Sequence, residues 1–396
     1  MTTVWEIIFW ICLGIVIYTY VGYGILLYII LKIKRLLGYR RQQPLLGINR
    51  NLWPEVTLMV CAYNEEEVVG MKMDNTRQLD YPTEKLHLLW VTDGSSDKTN
   101  ELLGGYPEVE VLYQPQRQGK TAALNRGIAH ARTEIIIMTD ANTLLNRDAI
   151  QEIARLFQDP SVGCVAGEKR VMARDEEQTA AKGEGAYWKY ESTLKRWDSE
   201  LFSAMGAAGE LCAVRKPLYQ PMPHDTLLDD FIMSMRITAQ GYRIAYSKEA
   251  YAMEYGSADI REEGKRKQRI AAGGLQSIWR LRRLMNPFTR PLLAFQFISH
   301  RVLRWSITPI ALMALIPLNV ILVFQSAGWI YTVLWIAQIV FYLLAFTGFL
   351  MEQKGKASKV FYIPYYFLFM NINVFRGMKY LAKHRNNGAW EKAKRG

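Results

Sequence analysis

The stretch EIIIMTDANTLL, residues 134–145, decides the fold: an oily run ends abruptly in Asp140-Ala141-Asn142. A short continuous apolar run bounded by polar turn residues reads as a strand buried on both faces. Asp140 then stands at its carboxyl end, where a carboxylate is costly unless something binds it.

Three other runs upstream have the same character. VTLMVCAY (56–63), LHLLWVTD (86–93) and VEVLYQ (109–114) alternate with helix-length segments, as does EIIIMTDA (134–141). Strand–helix alternation predicts an α/β domain with a mainly parallel, doubly wound sheet, and such sheets bind ligands beyond the carboxyl ends of their strands. Asn64-Glu65-Glu66, Asp93-Gly94-Ser95 and Asp140-Ala141-Asn142 follow three of these strands. One such Asp also suits a helix N-cap; three on one rim point to a ligand site.

The chain has 396 residues, half of them hydrophobic, which exceeds what the α/β domain needs. Residues 4–31 carry a single charge, Glu6, and are long enough to span a bilayer. Lys32, Lys34, Arg35, Arg40 and Arg41 follow, an excess that marks the cytoplasmic side and places the middle of the chain there. A cleaved signal peptide would have a shorter apolar region after a basic start. Residues 307–324 and 329–351 read as a transmembrane hairpin. Residues 358–378 are apolar enough for a third C-terminal crossing, although Pro364, Asn371 and Asn373 interrupt them and the basic tail favours the cytoplasm. Re-entrant or interfacial placement is the alternative.

The formal net charge of +12 comes from basic residues clustered beside apolar spans, at 32–41, 261–283 and 379–395. Juxtamembrane clusters of this kind meet anionic head groups, which argues against nucleic acid as partner. Cys12, Cys61, Cys164 and Cys212 are too far apart to outline a zinc site or a disulfide framework. His300, Arg301, Arg304 and Trp305 precede the hairpin and are expected at head-group level. His224 is expected to be structural. The expected organisation is an anchor (1–33), a basic linker (34–53), the α/β domain (54–275), an interfacial amphipathic segment (276–305), C-terminal transmembrane helices (306–380) and a basic tail (381–396).

Two nucleotide motifs fail. No G-x-G-x-x-G follows a strand, and QGKT (118–121) lacks the earlier glycine of a phosphate loop, because position 114 is Gln. Lys120 still opens a helix, where the dipole favours anions.

Taken together, VCAYNEEE, VTDGSSDKT, QGKTAALNRGI and MTDANT resemble, in this order and at these separations, the nucleotide-sugar half of family 2 glycosyltransferases, which have the GT-A fold. GAAGELCAVRK (206–216), LLDDF (227–231) and KRKQRIAAGG (265–274) are similar to that family's acceptor-side segments. The flanking spans resemble those of its membrane-bound hyaluronan and poly-N-acetylglucosamine synthases.

The resemblance implies an inverting transferase that uses Mg²⁺ or Mn²⁺ and a nucleotide-sugar donor, with a UDP-sugar the expected class, and a saccharide or lipid-linked acceptor at a cell inner or plasma membrane. It makes Asp140 the metal ligand, with Asn142 standing where relatives carry a second acid. It places Ala62, Asn64, Glu65 and Asp93 around the nucleotide base and Lys120 near base or phosphate. Of the pair Asp229-Asp230, Asp230 would be the general base. Arg269 would meet the diphosphate, while Ile270 replaces the tryptophan of processive relatives and puts polymer synthesis in doubt. The other reading of Arg261, Arg266, Lys267 and Arg269 is a basic membrane-facing surface. A catalytically silent nucleotide-sugar-binding subunit of an export complex is the alternative function; Asn142 favours it, and the presence of Asp93, Asp140 and Asp230 together opposes it.

Overall fold

A computed structural model describes residues 2–39, 52–172, 179–255, 260–354 and 358–383. Arg40 and Arg41 of the basic linker, most of the basic tail and the side chain of Arg261 lie outside the described residues.

Eight strands form one mixed sheet: β1 (Val56–Ala62), β2 (Leu86–Asp93), β3 (Val109–Gln114), β4 (Ile135–Asp140), β5 (Leu144–Leu145), β6 (Val162–Met172), β7 (Leu211–Arg215) and β8 (Arg243–Tyr255), in the order β3-β2-β1-β4-β7-β6-β8-β5. The four strands read from sequence are the parallel half, β3-β2-β1-β4. The other half mixes directions: β7 runs antiparallel to β4 and β6, and β8 runs parallel to β6. The fold is of the GT-A type that the motifs implied.

Residues 135–139 are buried without a break, as a strand covered on both faces requires. Ile135 and Ile137 pack with Leu58, Ile150 and Ile153 on one face. Ile136 and Met138 pack with Met59, Leu124 and Ile128 on the other. The helices Lys120–His130 and Ala149–Leu156 therefore clamp the sheet from opposite sides. The strands end in register: Asp140 pairs with Cys61, and Asp93 with Gln114, so both acids reach one edge.

Three helical segments are long and apolar enough to cross a membrane: Thr3–Leu36, Ile307–Phe324 and Trp329–Gln353. The first contains a π-helical turn at Tyr18–Gly22, where Thr19 bonds Ile15 O and meets Thr308 Oγ1 at 2.8 Å. Helix Lys359–Lys383, the expected third C-terminal crossing, does not reach that apolarity. Its Asn371 and Asn373 are buried in protein contacts: Tyr20 donates to Asn371 Oδ1 at 2.7 Å, and both amides bond carbonyls one turn back. Gly377 lets it approach helix Ile260–Arg280 closely, since a Cβ there would lie 2.7 Å from Ala272 N.

The head-group expectation for the segment before the hairpin is not met. His300, Arg301, Arg304 and Trp305 are buried in protein. Apolar neighbours alone could not hold the two arginines and the imidazole; two carboxylates of helix Thr179–Leu201 do so. Asp198 accepts from His300 Nδ1 at 2.5 Å, and Glu191 meets Arg301 at 2.6 Å and Arg304 at 2.8 Å. Asp198 also accepts from Tyr23 and from Gln296 at 3.0 Å, joining the N-terminal helix to the α/β domain.

Candidate active site

The loops beyond β1 and β2 are locked together. Asn64 adopts φ 52°, a left-handed conformation uncommon outside glycine, and its Oδ1 accepts from Ser96 N at 2.9 Å. Its own N–H donates to Ser95 Oγ at 3.1 Å, and Glu65 N–H donates to Thr99 Oγ1 at 2.8 Å. Arg117 stacks on Tyr63 with 3.9 Å from guanidinium carbon to ring centre. Gly94, at φ 71°, leaves room for Arg117, whose backbone N would lie 2.6 Å from a Cβ.

Asp93 is almost fully buried, and its Oδ2 accepts from Gln118 N at 2.9 Å and Gly119 N at 2.6 Å. It therefore fixes the turn that launches helix Lys120–His130, a duty not visible in the sequence. Ala62 is buried beside it at the end of β1.

Lys120, from that helix, donates to Asp140 Oδ1 at 2.7 Å. Burial lowers the affinity of its amine for a proton, but Asp140 and Asp229 outweigh that and raise it overall. Asn142 is half-buried in the turn after β4. Beneath this turn lies Lys72, fully buried, donating to Thr143 O at 2.8 Å and Thr139 Oγ1 at 3.1 Å. Burial pulls its ammonium down to about 7, against the attraction of Asp140. No sequence signal marked Lys72: a lysine in a helix normally reads as solvated surface.

Asp229 and Asp230 open helix Asp229–Ala239. Burial, then the charges of Asp229 and Glu210, push the Asp230 carboxyl up to about 6, although Lys120 pulls the other way. Gly209 lies between the two halves of the site, its missing Cβ 3.4 Å from Lys120 Nζ and 3.6 Å from Asp230 Oδ2. Glu210 is held by Lys169 at 2.8 Å and Arg266 at 3.1 Å.

These groups border one cavity of about 540 Å³. Lys120, Asp140, Asp229, Asp230 and Arg269 all line it, so the structure brings the phosphate-side and acceptor-side expectations to a single space. Ala62, Asn64, Glu65 and Asp93 belong to the adjoining strand-end loops and are not part of its wall. His224 is exposed on the surface. Ile270 lines the cavity without a ring, but Trp305 and Trp188 line it too. Trp305 seats on Gly274, where a Cβ would lie 2.6 Å from its ring. Arg266 and Lys267 also face the cavity and pair with Glu210 and Glu263, which replaces the membrane-facing reading of these two cations.

Among the described residues no group of three His, Cys, Asp or Glu side chains could hold a metal ion. Asp140, on the cavity wall, and Asn142, half-buried in the turn beside it, carry hard oxygens of the kind a divalent cation takes when its remaining ligands come from a diphosphate.

Comparison with known proteins agrees with this architecture. A family model described as "Glycosyltransferase like family 2" matches residues 54–273. A poly-beta-1,6-N-acetyl-D-glucosamine synthase of Staphylococcus aureus is 27% identical over 236 residues, covering 57% of this chain and 56% of that protein. A beta-monoglucosyldiacylglycerol synthase of Trichormus variabilis is 28% identical over 236 residues, covering 56% and 49%. The chain thus spans about half the length of the curated relatives it matches. A mannosyltransferase from Pyrobaculum calidifontis, solved with GDP-Man and Mn²⁺, shares the fold with a TM-score of 0.68 at 22% identity, covering 94% of this chain and 98% of that one. With the family model matching more than half of the chain, the protein belongs to the family 2 glycosyltransferases.

Proposed function

We propose that this protein is an inverting, metal-dependent glycosyltransferase that moves a sugar from a nucleotide-sugar, a UDP-sugar by preference, to a membrane-held saccharide or lipid-linked acceptor, in polysaccharide or glycolipid synthesis. The observation that carries the reading is the meeting of Lys120–Asp140 and Asp230 across Gly209 in one cavity. In this reading the leaving-group cation and the acceptor-side base face one cavity, which receives the sugar.

In this reading Asp230 takes the proton of the acceptor hydroxyl. The acceptor oxygen bonds to the anomeric carbon as the bond from that carbon to the donor phosphate breaks, and the electron pair leaves on the diphosphate. Attack opposite the leaving group inverts the configuration. A base whose carboxyl sits near 6 is ionised at neutral pH yet retains appreciable basicity. Lys120 and Arg269 neutralise the departing diphosphate. Asp140 and Asn142 would hold Mg²⁺ or Mn²⁺, which supplies Lewis-acid stabilisation of that charge when bound. Asp93, Asn64 and Glu65 organise the loops that receive the nucleotide.

The three apolar helices support a multi-pass protein of an inner or plasma membrane with the α/β domain on the cytoplasmic side. The partially apolar cavity wall from helix Lys359–Lys383 supports an acceptor that arrives from the bilayer.

The test is release of the nucleoside diphosphate, UDP or GDP, by the full chain in lipid nanodiscs with a panel of UDP-sugars and GDP-mannose, with Mn²⁺ or Mg²⁺, beside Asp140→Ala and Asp230→Asn. Turnover with one donor that both substitutions abolish supports the transferase. Donor binding without turnover, for every donor and acceptor tried, would transfer the assignment to the silent scaffold that Asn142 favours.

A further inference from the structure

Most cations on the cavity wall have an acidic partner. Lys120 is held by Asp140, Arg266 by Glu210, Lys267 by Glu263, and Arg301 with Arg304 by Glu191. Lys195, on helix Thr179–Leu201, is different. It is 5% exposed and lines the cavity, yet has no hydrogen bond or ion pair among the described residues.

A buried ammonium without a partner is expensive. Burial and the neighbouring Arg301 lower its affinity for a proton. Glu191, Asp230 and Glu210 act on it through space and favour its charge, which places it on the base side of the site. Helix Lys359–Lys383 contributes Ile363, Phe367 and Met370 to the same cavity. A charged group and an apolar wall thus share one space.

We propose that Lys195 is the recognition point for an anionic group on the acceptor, a phosphate joined to an apolar tail, seated between Lys195 and helix Lys359–Lys383. The proposal rests on the transferase reading and narrows its acceptor. The phosphate pairs with Lys195, and Arg301, which lines the same cavity, adds to the positive field. The tail follows the apolar wall, and the hydroxyl to be glycosylated falls within reach of Asp230.

Native mass spectrometry of the full chain in detergent, with dioleoyl phosphatidic acid and dioleoylglycerol as probes, tests this. Wild type and Lys195→Arg should retain phosphatidic acid over dioleoylglycerol by at least about tenfold, and Lys195→Met should lose that preference. Displacement by inorganic phosphate would assign the site to a free phosphorylated group; resistance to it would assign a lipid-borne one. Equal retention of the two lipids by wild type, or an undiminished preference in Lys195→Met, overturns the proposal. Equal retention in wild type overturns the proposal even where a variant does not fold, and Lys195→Arg compared with Lys195→Met separates this site from the basic juxtamembrane clusters, which also meet anionic head groups. UDP binding with Mn²⁺ is measured on the same samples: its absence in wild type counts against the transferase, whereas its presence beside indifference to phosphatidic acid counts against the anion site alone.

Discussion

Lys120 Nζ rests 2.7 Å from Asp140 Oδ1, so a protein cation already occupies one oxygen of the carboxylate that the diphosphate and its metal would use. The pair holds Asp140 in place on the cavity wall, and in the proposed reading Lys120 turns toward the phosphate oxygens of a bound donor. Asp140→Ala should remove the Mn²⁺ enhancement of UDP affinity and lower turnover at least about 100-fold, the scale of losing one electrostatic stabiliser. Calorimetric titration of UDP with and without Mn²⁺ checks the first part. An enhancement that survives the substitution would remove Asp140 from the metal site.

Asp230 links pH to both activity and stability. In the proposed role of base it must be ionised, so kcat should fall as pH drops through about 6, the value to which burial, Asp229 and Glu210 raise its carboxyl. Its folded-state value lies above the ordinary one, so the stabilisation it contributes is complete below pH about 4 and is lost as pH rises through about 6. Asp230→Asn should therefore lose at least about 100-fold in kcat. It should also unfold at a higher temperature at pH 7.5, with up to about 3 kcal/mol in its favour. A pH-rate profile and thermal melts on the same preparation measure both signs.

Gly209 reports on the space between the two halves of the site. A Cβ would make ordinary contacts there, at 3.4 Å and 3.6 Å, so Gly209→Ala should fold with an unchanged melting temperature. In the proposed reading it narrows the space beside Lys120 and Asp230 that receives the sugar, and kcat/KM should fall about tenfold or more, the scale of a small misplacement of reacting groups. Steady-state kinetics that match wild type would place the sugar elsewhere.

The buried Asp198–His300 contact ties the segment before the apolar hairpin to the α/β domain. Asp198→Ala strands His300 beside Glu191 and removes the acceptor for Tyr23 and Gln296. A loss of about 3–5 kcal/mol is expected. Tyr23→Phe removes a single hydrogen bond to a charged group and should cost about 1.5–3 kcal/mol. Thermal unfolding in one detergent ranks the two; equal, near-zero effects would mean that the network does not couple the parts.

Gly377 marks where helix Lys359–Lys383 meets helix Ile260–Arg280, which carries Arg269. Gly377→Val should push the two apart, because its Cβ would start 2.7 Å from Ala272 N. Reduced turnover with intact UDP binding is expected, and gel filtration separates that outcome from misfolding.

Local patterning determined the parallel half of this protein and the rim of its site. A strand buried on both faces must be apolar throughout, so 135–139 announced β4, and the polar residues directly after β1, β2 and β4 had to emerge at one edge. The acidic pair at 229–230 and the apolar spans were legible for the same reason: each is a contiguous signal. What depends on residues far apart in sequence was decided by the tertiary structure. The mixed half of the sheet, the burial of Lys72 under the Asp140 turn and the gap at Gly209 arise from packing between elements. So does the turning inward of His300, Arg301 and Arg304. A basic segment beside a membrane span reads as surface until the carboxylates that neutralise it are found, and Glu191 and Asp198 lie about a hundred residues earlier, on another helix. Charge can enter a protein interior only with its partner, and only the fold brings the partners together.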